Sequence, residues 1–186
     1  GAINQGITAR VGLQLADLEA TWTRFARFPR ISNSFAIPAS TTQVANPFGG
    51  GLYFEVPDGL DLGTISVAVK GAVAMPFYST LDLRGHSSDL QAFQAELTKA
   101  QVPWLEITSA KTTLTQPINA RALMTDPASI LTFFDSAFDS INVMAGRPLQ
   151  RFRSEWLSLD AQITVAGTAM AASYPTFGDR NLDARD

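Results

Sequence analysis

Three consecutive glycines, Gly49 to Gly51, form the most unusual short motif of the chain, within the segment NPFGGGLYFEV. Glycine-rich loops can cradle phosphate, but this chemistry requires Gly-x-x-x-x-Gly-Lys followed by Ser or Thr, and then a helix. Here the glycines lead into Leu52, Tyr53 and Phe54, and the next element is a predicted strand. The dinucleotide-binding pattern also requires a helix after its glycines, so it is excluded as well. The motif therefore predicts a turn or a close backbone approach that leads into a central strand.

His86 is the only histidine, and its neighbours in the segment RGHSSD include the Ser and Asp types of a catalytic triad. Neighbours in sequence do not form a triad by themselves, because its members must meet in a defined geometry. The segment is better interpreted as a loop that leads into a helix cap. One histidine and no cysteine leave too few of the usual ligands for a catalytic zinc site within this chain.

Acidic, aromatic and basic residues give weaker indications of chemistry. Asp58 and Asp61 lack the ligand density of a calcium loop, so they predict a turn. Trp104 beside Glu106 could stack against a sugar, but a buried strand position is the preferred interpretation. Arginine and phenylalanine interleave at 24–30, as in a nucleic-acid patch, yet the acidic balance favours a solvated helix face beside a core. No residue is assigned as catalytic, cofactor-binding or metal-binding.

The composition is that of an ordinary globular protein. The chain has 186 residues, of which 46% are hydrophobic and 17% charged, and this suits one domain or one domain plus the start of another. The formal net charge of −3 gives no excess of basic residues for binding nucleic acid or an anionic membrane. The absence of cysteine excludes disulfides and thiolate zinc sites. No apolar run approaches the roughly 20 residues of a membrane-spanning helix.

Apolar spacing predicts three helices. The first covers 12–28 and ends before Pro29, and the second covers about 88–100 with Ser88 as a capping residue. The third begins at the N-cap Asp126 and stops near Gly146.

The third helix is predicted to contribute apolar residues to the core. Ile130, Phe134, Phe138 and Ile141 fall on one helical face, and Phe133 is assigned to the core together with the other two phenylalanines.

Between the helices, short segments rich in Val, Ile, Phe and Tyr predict strands joined by turns. In ISVAVKG, Ile65, Val67 and Val69 alternate with smaller or polar residues, so one face of a strand is predicted to be buried. The segments 102–118 and 161–175 also have strand composition. The order of elements predicts an α+β fold, with an antiparallel β-sandwich-like domain flanked by helices.

Four segments, in order along the chain, resemble the enhancin-like zinc metallopeptidases. NPFGGGLYFEV (46–56) resembles that family's Asn-Pro-x-Gly-Gly-x-x-Tyr strand opening, and VPWLEI (102–107) its Pro-Trp-x-Glu segment. DPASILTFFDSAF (126–138) is similar to its Asp-Pro-x-x-Leu helix, and AQITVAGTAMAASYP (161–175) to its Met-x-x-x-Tyr-Pro turn.

The resemblance implies a sandwich-like part followed by an α/β catalytic part. The catalytic part of that family carries a His-Glu-x-x-His helix and a later Glu, which together hold one zinc ion. This chain contains no such motif and has Ala171 and Ser173 where the family often has His and Gly. No zinc ligand is therefore carried over. Residues 1–145 are expected to form the sandwich-like subdomain, and 146–186 the truncated start of the catalytic subdomain.

The expected function follows from this resemblance. The chain is expected to be the N-terminal, non-catalytic portion of a secreted or cell-surface bacterial zinc metallopeptidase that acts on mucin-like O-glycosylated proteins, its signal peptide lying outside this chain. By itself it should be inactive and bind no cofactor, with zinc in the full-length parent. Its partners would be the remainder of its own catalytic domain and the glycoprotein substrate. The alternative is a stand-alone sandwich module that binds a glycan or a protein.

Overall fold

The computed structural model describes residues 6–14, 17–18, 27–81, 88–151, 153–160, 169–170 and 176–179. In these ranges the strands are β1 (Thr8–Val11), β2 (Asn33–Ala36), β3 (Leu52–Glu55), β4 (Phe77–Ser79), β5 (Trp104–Thr108), β6 (Thr112–Pro117), β7 (Glu155–Asp160), β8 (Ala169–Met170) and β9 (Thr176–Asp179). The helices are α1 (Leu90–Lys99), α2 (Pro127–Met144) and a 3-10 helix at Ile118–Leu123. Most of the helix predicted at 12–28 lies outside the described residues.

The strands form two sheets. The smaller sheet is antiparallel with the order β2-β1-β3, and the larger sheet has the order β4-β5-β6-β7-β9-β8. In the larger sheet, β4 and β5 are parallel across α1, and β6 and β7 are parallel across α2, because a helical crossover returns the chain in the same direction. β5 and β6 are antiparallel. The predicted α+β class is confirmed, and the larger sheet is mixed.

Alternation along β5 and β6 divides the larger sheet into an apolar face and a polar face. Ile107 and its cross-strand partner Leu114 belong to the core that includes Leu131 of α2. Glu106 and its partner Thr115 point to the other face, where Tyr53 of the smaller sheet approaches them. The fold therefore has three layers, with helices on one face of the larger sheet and the smaller sheet on the other.

The main hydrophobic core lies between the larger sheet and the helices. Its buried members are Tyr78, Phe93, Leu97, Leu105, Ile107, Leu114, Met124 and Leu131. The contact between the two sheets is largely polar around Glu106 and Thr115, unlike the apolar interior of most sandwiches.

Helix α2 begins where the sequence predicts. Asp126 is the N-cap, and its side chain accepts a hydrogen bond from the Ser129 backbone N–H at 3.0 Å. Pro127 occupies the first turn, where no helical hydrogen bond from its nitrogen is needed. Gly146, with φ of 63°, follows the end of the helix. The predicted start at Asp126 and the predicted stop near Gly146 are confirmed. Each depends only on the backbone of neighbouring residues.

The burial predicted for α2 is wrong at two positions. Phe133 is 69% exposed and Ile141 is also exposed, whereas Leu131 is fully buried. Phe134 and Phe138 are half-buried. The buried face is centred on Leu131 and Asn142, so it is rotated from the predicted stripe.

Two further predictions need correction. The N-cap of α1 is Asp89, which accepts from the Ala92 N–H at 3.0 Å, and Ser88 precedes it with a positive φ of 25°. Residues 61–70 form no strand, and Ile65, Val67 and Val69 are exposed. Alternation makes a segment suitable for a strand, but a strand also needs a hydrogen-bonding neighbour.

Candidate functional site

The two sheets meet through five side chains, one from each of five strands, which we call the polar joint. Its members are Arg10 of β1, Tyr53 of β3, Glu106 of β5, Thr115 of β6 and Trp156 of β7. Because side chains alternate along a strand, each of these residues can face the opposing sheet while its chain neighbours face away.

Arg10 lies at the centre of the joint and is only 2% exposed. It is the cross-strand neighbour of Tyr53, and its Cζ lies 5.3 Å from the Tyr53 ring centroid and 5.7 Å from that of Trp156. Its Nε is 3.3 Å from Oε1 of Glu55. Cation–π contacts of this kind are strongest when the cation is desolvated, as it is here.

Glu106 anchors the other side of the joint. The Thr115 hydroxyl donates to its Oε2 at 2.8 Å, and the Tyr53 hydroxyl is 3.5 Å from the same oxygen. The indole Nε1–H of Trp156 donates to the Thr115 oxygen at 2.8 Å. The Tyr53 and Trp156 rings meet edge to face, with centroids 5.0 Å apart. The hydrogen bonds from Trp156 to Thr115 and from Thr115 to Glu106 form a relay across β7, β6 and β5. Tyr53 connects this relay to the smaller sheet.

The environment of the joint keeps Tyr53 protonated. Burial raises the pKa of Tyr53 well above its usual value, and the nearby negative charge of Glu106 raises it further, while Arg10 opposes the shift. A phenol held in this form can donate a hydrogen bond but cannot serve as a base near neutral pH. Tyr53 therefore acts in the joint as a hydrogen-bond donor.

A second polar connection attaches α2 to the turn between β5 and β6. The Ser109 and Thr112 hydroxyls donate to Oδ1 of Asp135 at 2.8 and 2.6 Å. Lys111 Nζ lies 2.6 Å from Oδ2 of Asp139, one helical turn further along. One flank of α2 is consequently fixed to the sheet by charge and hydrogen bonds.

The triple glycine forms a turn, as predicted. Gly49 and Gly50 have φ values of 66° and 111°, and a Cβ at Gly50 would lie 2.7 Å from Cα of Gly12. Asn46 supports the turn by donating its side-chain amide to the Val11 carbonyl at 2.8 Å. The sequence predicts that the glycines lead into a central strand. This prediction is wrong, because β3 lies at an edge of the smaller sheet.

The described residues do not provide a zinc site, since no group of three or more His, Cys, Asp or Glu side chains among them could hold a metal ion. An open groove of about 330 Å³ lies between α1 and the 3-10 helix, lined by Gln94, Leu97, Thr98 and Arg121. Among the described residues, the lining of this groove includes no carboxylate and no histidine, so these residues offer neither an acid–base pair nor a metal ligand set.

Trp104, the candidate for sugar stacking, and Trp156 have different surroundings. Trp104 is half-buried at the start of β5, which confirms its strand position. Trp156 is engaged in the polar joint through Tyr53 and Thr115. Trp22 lies outside the described residues.

The arginines of 24–30 do not share one solvated face, so that prediction is wrong for Arg27. Arg27 is buried, and its Nη1 donates to the carbonyls of Phe28 and Pro29 at 2.8 and 3.0 Å. Arg30 is exposed and pairs with Asp17 at 2.6 Å. Arg24 lies outside the described residues.

Two of the remaining candidates, Asp58 and Asp61, lie in loops. Asp61 accepts from the Gly63 N–H at 2.9 Å, and both Asp58 and Asp61 are exposed, as expected for turn residues. His86 lies outside the described residues.

Sequence reasoning missed the polar joint. The alternation in WLEIT and EWLSL indicates which residues share a face, and could have separated Glu106 and Trp156 from their apolar neighbours. No sequence signal pairs Arg10 with Trp156, because their contact depends on the packing of two sheets.

Comparison with known proteins agrees with part of the resemblance. Residues 1–70 match the family model of the N-terminal domain of M60-like peptidases. The match covers the smaller sheet, including β1 and β3, which supply Arg10 and Tyr53 to the joint.

Two animal proteins are similar over most of the chain. TRPM8 channel-associated factor 2 of Bos taurus is 28% identical over 170 residues, and TRPM8 channel-associated factor homolog of Xenopus laevis is 29% identical over 174 residues. These alignments cover 91% and 94% of this chain but 18% of each relative. The chain thus spans about a fifth of the length of the curated relatives it matches.

A solved structure shares the fold. The crystal structure of a functionally unknown conserved protein from Bacillus anthracis str. Ames superposes with a TM-score of 0.69 at 19% identity. The superposition covers 97% of this chain and 36% of that one.

The described part of our chain contains no helix long and apolar enough to cross a membrane.

Proposed function

We propose that this chain is the N-terminal, non-catalytic portion of a secreted bacterial zinc metallopeptidase that acts on mucin-like O-glycosylated proteins. The observation that carries the proposal is the match of residues 1–70 to the N-terminal domain of M60-like peptidases. The zinc ligands would come from another part of the polypeptide, because the described residues offer no ligand cluster.

In this proposal the chain supports the catalytic part mechanically. The polar joint connects the smaller sheet to the larger one through Tyr53, whose hydroxyl lies 3.5 Å from Oε2 of Glu106 and whose ring meets the Trp156 ring edge to face at 5.0 Å. Asp135 and Asp139 fix α2 to the turn between β5 and β6. A catalytic site needs supporting elements whose side chains are locked by packing and hydrogen bonds, and these connections supply such support.

The test is to express this chain together with the polypeptide that its gene encodes beyond Asp186, and to assay cleavage of an O-glycosylated mucin. We expect cleavage that a chelator abolishes and zinc restores, and none with the 186-residue chain alone. The same mucin after enzymatic deglycosylation is the control substrate. Equal cleavage of both substrates would reject the O-glycoprotein specificity, and no cleavage of either would reject the peptidase.

A module that binds a protein or a glycan is the second candidate. The animal relatives are named as channel-associated factors, which supports a binding role for the shared region. Half-buried Trp104 is the aromatic ring to test for glycan stacking. Mucin glycans should quench tryptophan fluorescence in the chain and in Trp156→Phe but not in Trp104→Phe. Unchanged fluorescence across a broad glycan panel would argue against glycan binding.

A further inference from the structure

Helix α2 carries a partly exposed apolar strip beside its buried face, in which Phe133, Ile141 and Met144 are exposed and Ile130 and Ala137 are half-buried. The strip consists of Ile130, Phe133, Ala137, Ile141 and Met144, with spacings of three, four, four and three residues. Such spacing places all five on one side of a helix. Phe133 is 69% exposed and Met144 is 81% exposed. From Ile130 to Met144 the strip runs along roughly 21 Å of the helix at 1.5 Å per residue.

The strip is continuous with the hydrophobic core. Ile130 packs against the core cluster, as does the neighbouring Phe134, whose ring centroid is 5.5 Å from that of Phe133. The opposite flank of the helix carries Asp135 and Asp139, which bind the turn between β5 and β6. One flank of α2 is thus held by polar contacts, and the other presents apolar surface that extends the core outward.

In the described part of the chain, the contacts of the two helices concentrate on one half of the larger sheet. Helix α1 packs mainly on β4, and α2 packs mainly on β5 and β6. The larger sheet continues through β7, β9 and β8. An additional helix along the strip would widen the layer of helices and bury the exposed Phe133 and Met144.

The lengths of related proteins indicate where such a helix comes from. The Bacillus anthracis structure shares this fold over 97% of our chain, yet the shared part is only 36% of that chain. The relatives from Bos taurus and Xenopus laevis extend further still. In longer proteins of this kind, one polypeptide supplies both this fold and the chain available to cover it.

We propose that the apolar strip of α2 is the docking surface for an amphipathic helix from the catalytic portion of the same polypeptide. The occupant presents Leu, Ile, Met or Phe side chains at helical spacing toward Phe133, Ile141 and Met144. This inference rests on the proposed function, because it requires the chain to be part of a longer peptidase. It adds to that function the surface through which the support acts.

The absence of cysteine makes thiol labelling a direct test. Single cysteines are introduced on the strip as Phe133→Cys and Met144→Cys, and away from it as Val143→Cys and Ser136→Cys. Val143 is a matched control, since it is apolar, lies on the same helix and is 67% exposed. The rate of maleimide labelling at each introduced site is followed by peptide mass spectrometry in the 186-residue chain and in the longer polypeptide.

We expect the strip cysteines to label roughly tenfold or more slowly in the longer polypeptide, because labelling then requires local opening of the docked helix. The control cysteines should label at the same rate in both. Equal labelling of strip cysteines in both proteins overturns the proposal. The proposal is also overturned if the strip cysteines already label more slowly than the control cysteines in the 186-residue chain, and if this difference increases with protein concentration. That result would identify a second copy of the chain as the occupant.

The outcome can be separated from that of the proposed function by assaying the same polypeptide for zinc-dependent cleavage. Cleavage with an accessible strip rejects the docking surface and keeps the peptidase. A protected strip without cleavage keeps the docking surface and rejects the peptidase. Unchanged thermal unfolding of each cysteine variant in the 186-residue chain verifies that the substitutions leave the fold intact.

Discussion

Trp156 donates its indole N–H to the hydroxyl oxygen of Thr115 at 2.8 Å, across two neighbouring parallel strands. The same hydroxyl donates to Glu106 at 2.8 Å, so a single oxygen satisfies a donor on one side and an acceptor on the other. Buried polar groups are costly when they lack partners. Thr115 is therefore the residue on which the relay depends.

Replacing Thr115 with Val should destabilise the chain by about 1–3 kcal/mol, because the change leaves the Trp156 N–H and the Glu106 carboxylate without this partner. The measurement is the free energy of unfolding in urea. Thr132→Val is the control, since the Thr132 hydroxyl bonds to the Ala128 carbonyl on an exposed helix surface, and should change stability by less than about 0.5 kcal/mol. Equal effects of the two substitutions would contradict the proposed role of the relay.

Arg10 and Arg30 each pair with a carboxylate, but only Arg10 is buried. The side chain of Arg10 is 3% exposed, and that of Arg30 is 67% exposed. Arg10→Ala should cost about 2–3 kcal/mol, because it removes the contacts with both aromatic rings as well as the charge pair. Arg30→Ala should cost less than about 1 kcal/mol. Urea unfolding of both variants tests this difference, and a small effect at Arg10 would mean that the sheets do not depend on the joint.

Tyr53 should make stability fall at alkaline pH. Because burial raises its pKa in the folded chain, the unfolded chain loses the phenolic proton first as the pH rises above about 10. The unfolded state is then favoured, and one such group lowers the free energy of unfolding by about 1.4 kcal/mol per pH unit. Below that pH the contribution of Tyr53 is fully present.

The variant Tyr53→Phe should lack this part of the alkaline dependence. The stability difference between the original chain and the variant is measured by urea unfolding at a series of pH values. Tyr78, whose pKa is also raised by burial, contributes equally to both proteins and cancels in the difference. The prediction is contradicted if the stability difference between the two proteins stays constant above a pH of about 10. Tyr53 would then ionise at the same pH in the folded and unfolded chains.

Local signals in the sequence predict much of the fold and little of the site. The caps of α2 at Asp126 and Gly146 depend on neighbouring residues, so the sequence alone predicts them. Alternation alone predicts a strand at Ile65 to Val69, and no strand forms there. The joint between Arg10 and Trp156 depends on contacts between residues far apart in the sequence, and no pattern in either segment specifies them.

Glycine at position 50 should be required for packing, and not only for the turn. A Cβ there would lie 2.7 Å from Cα of Gly12, whereas a Cβ at Gly49 would meet nothing within 4 Å. Both residues have positive φ, so alanine is strained at either position. Gly49→Ala should cost about 1–2 kcal/mol, as for a left-handed residue, and Gly50→Ala roughly 2 kcal/mol more, because the backbone of Gly12 must also move. Similar costs in urea unfolding would show that only φ matters.

Truncation to alanine should destabilise the 186-residue chain far more at Leu131 than at Met144, although both are apolar residues of α2. Leu131 is fully buried in the core and Met144 is 81% exposed on the strip. Leu131→Ala should destabilise the chain by about 2–5 kcal/mol, since it removes buried methyl groups and leaves a cavity. Met144→Ala should change stability by less than about 0.5 kcal/mol. A large cost at Met144, measured by urea unfolding at low protein concentration, would mean that this residue already packs within the isolated chain, and the strip would then not be free to receive a helix.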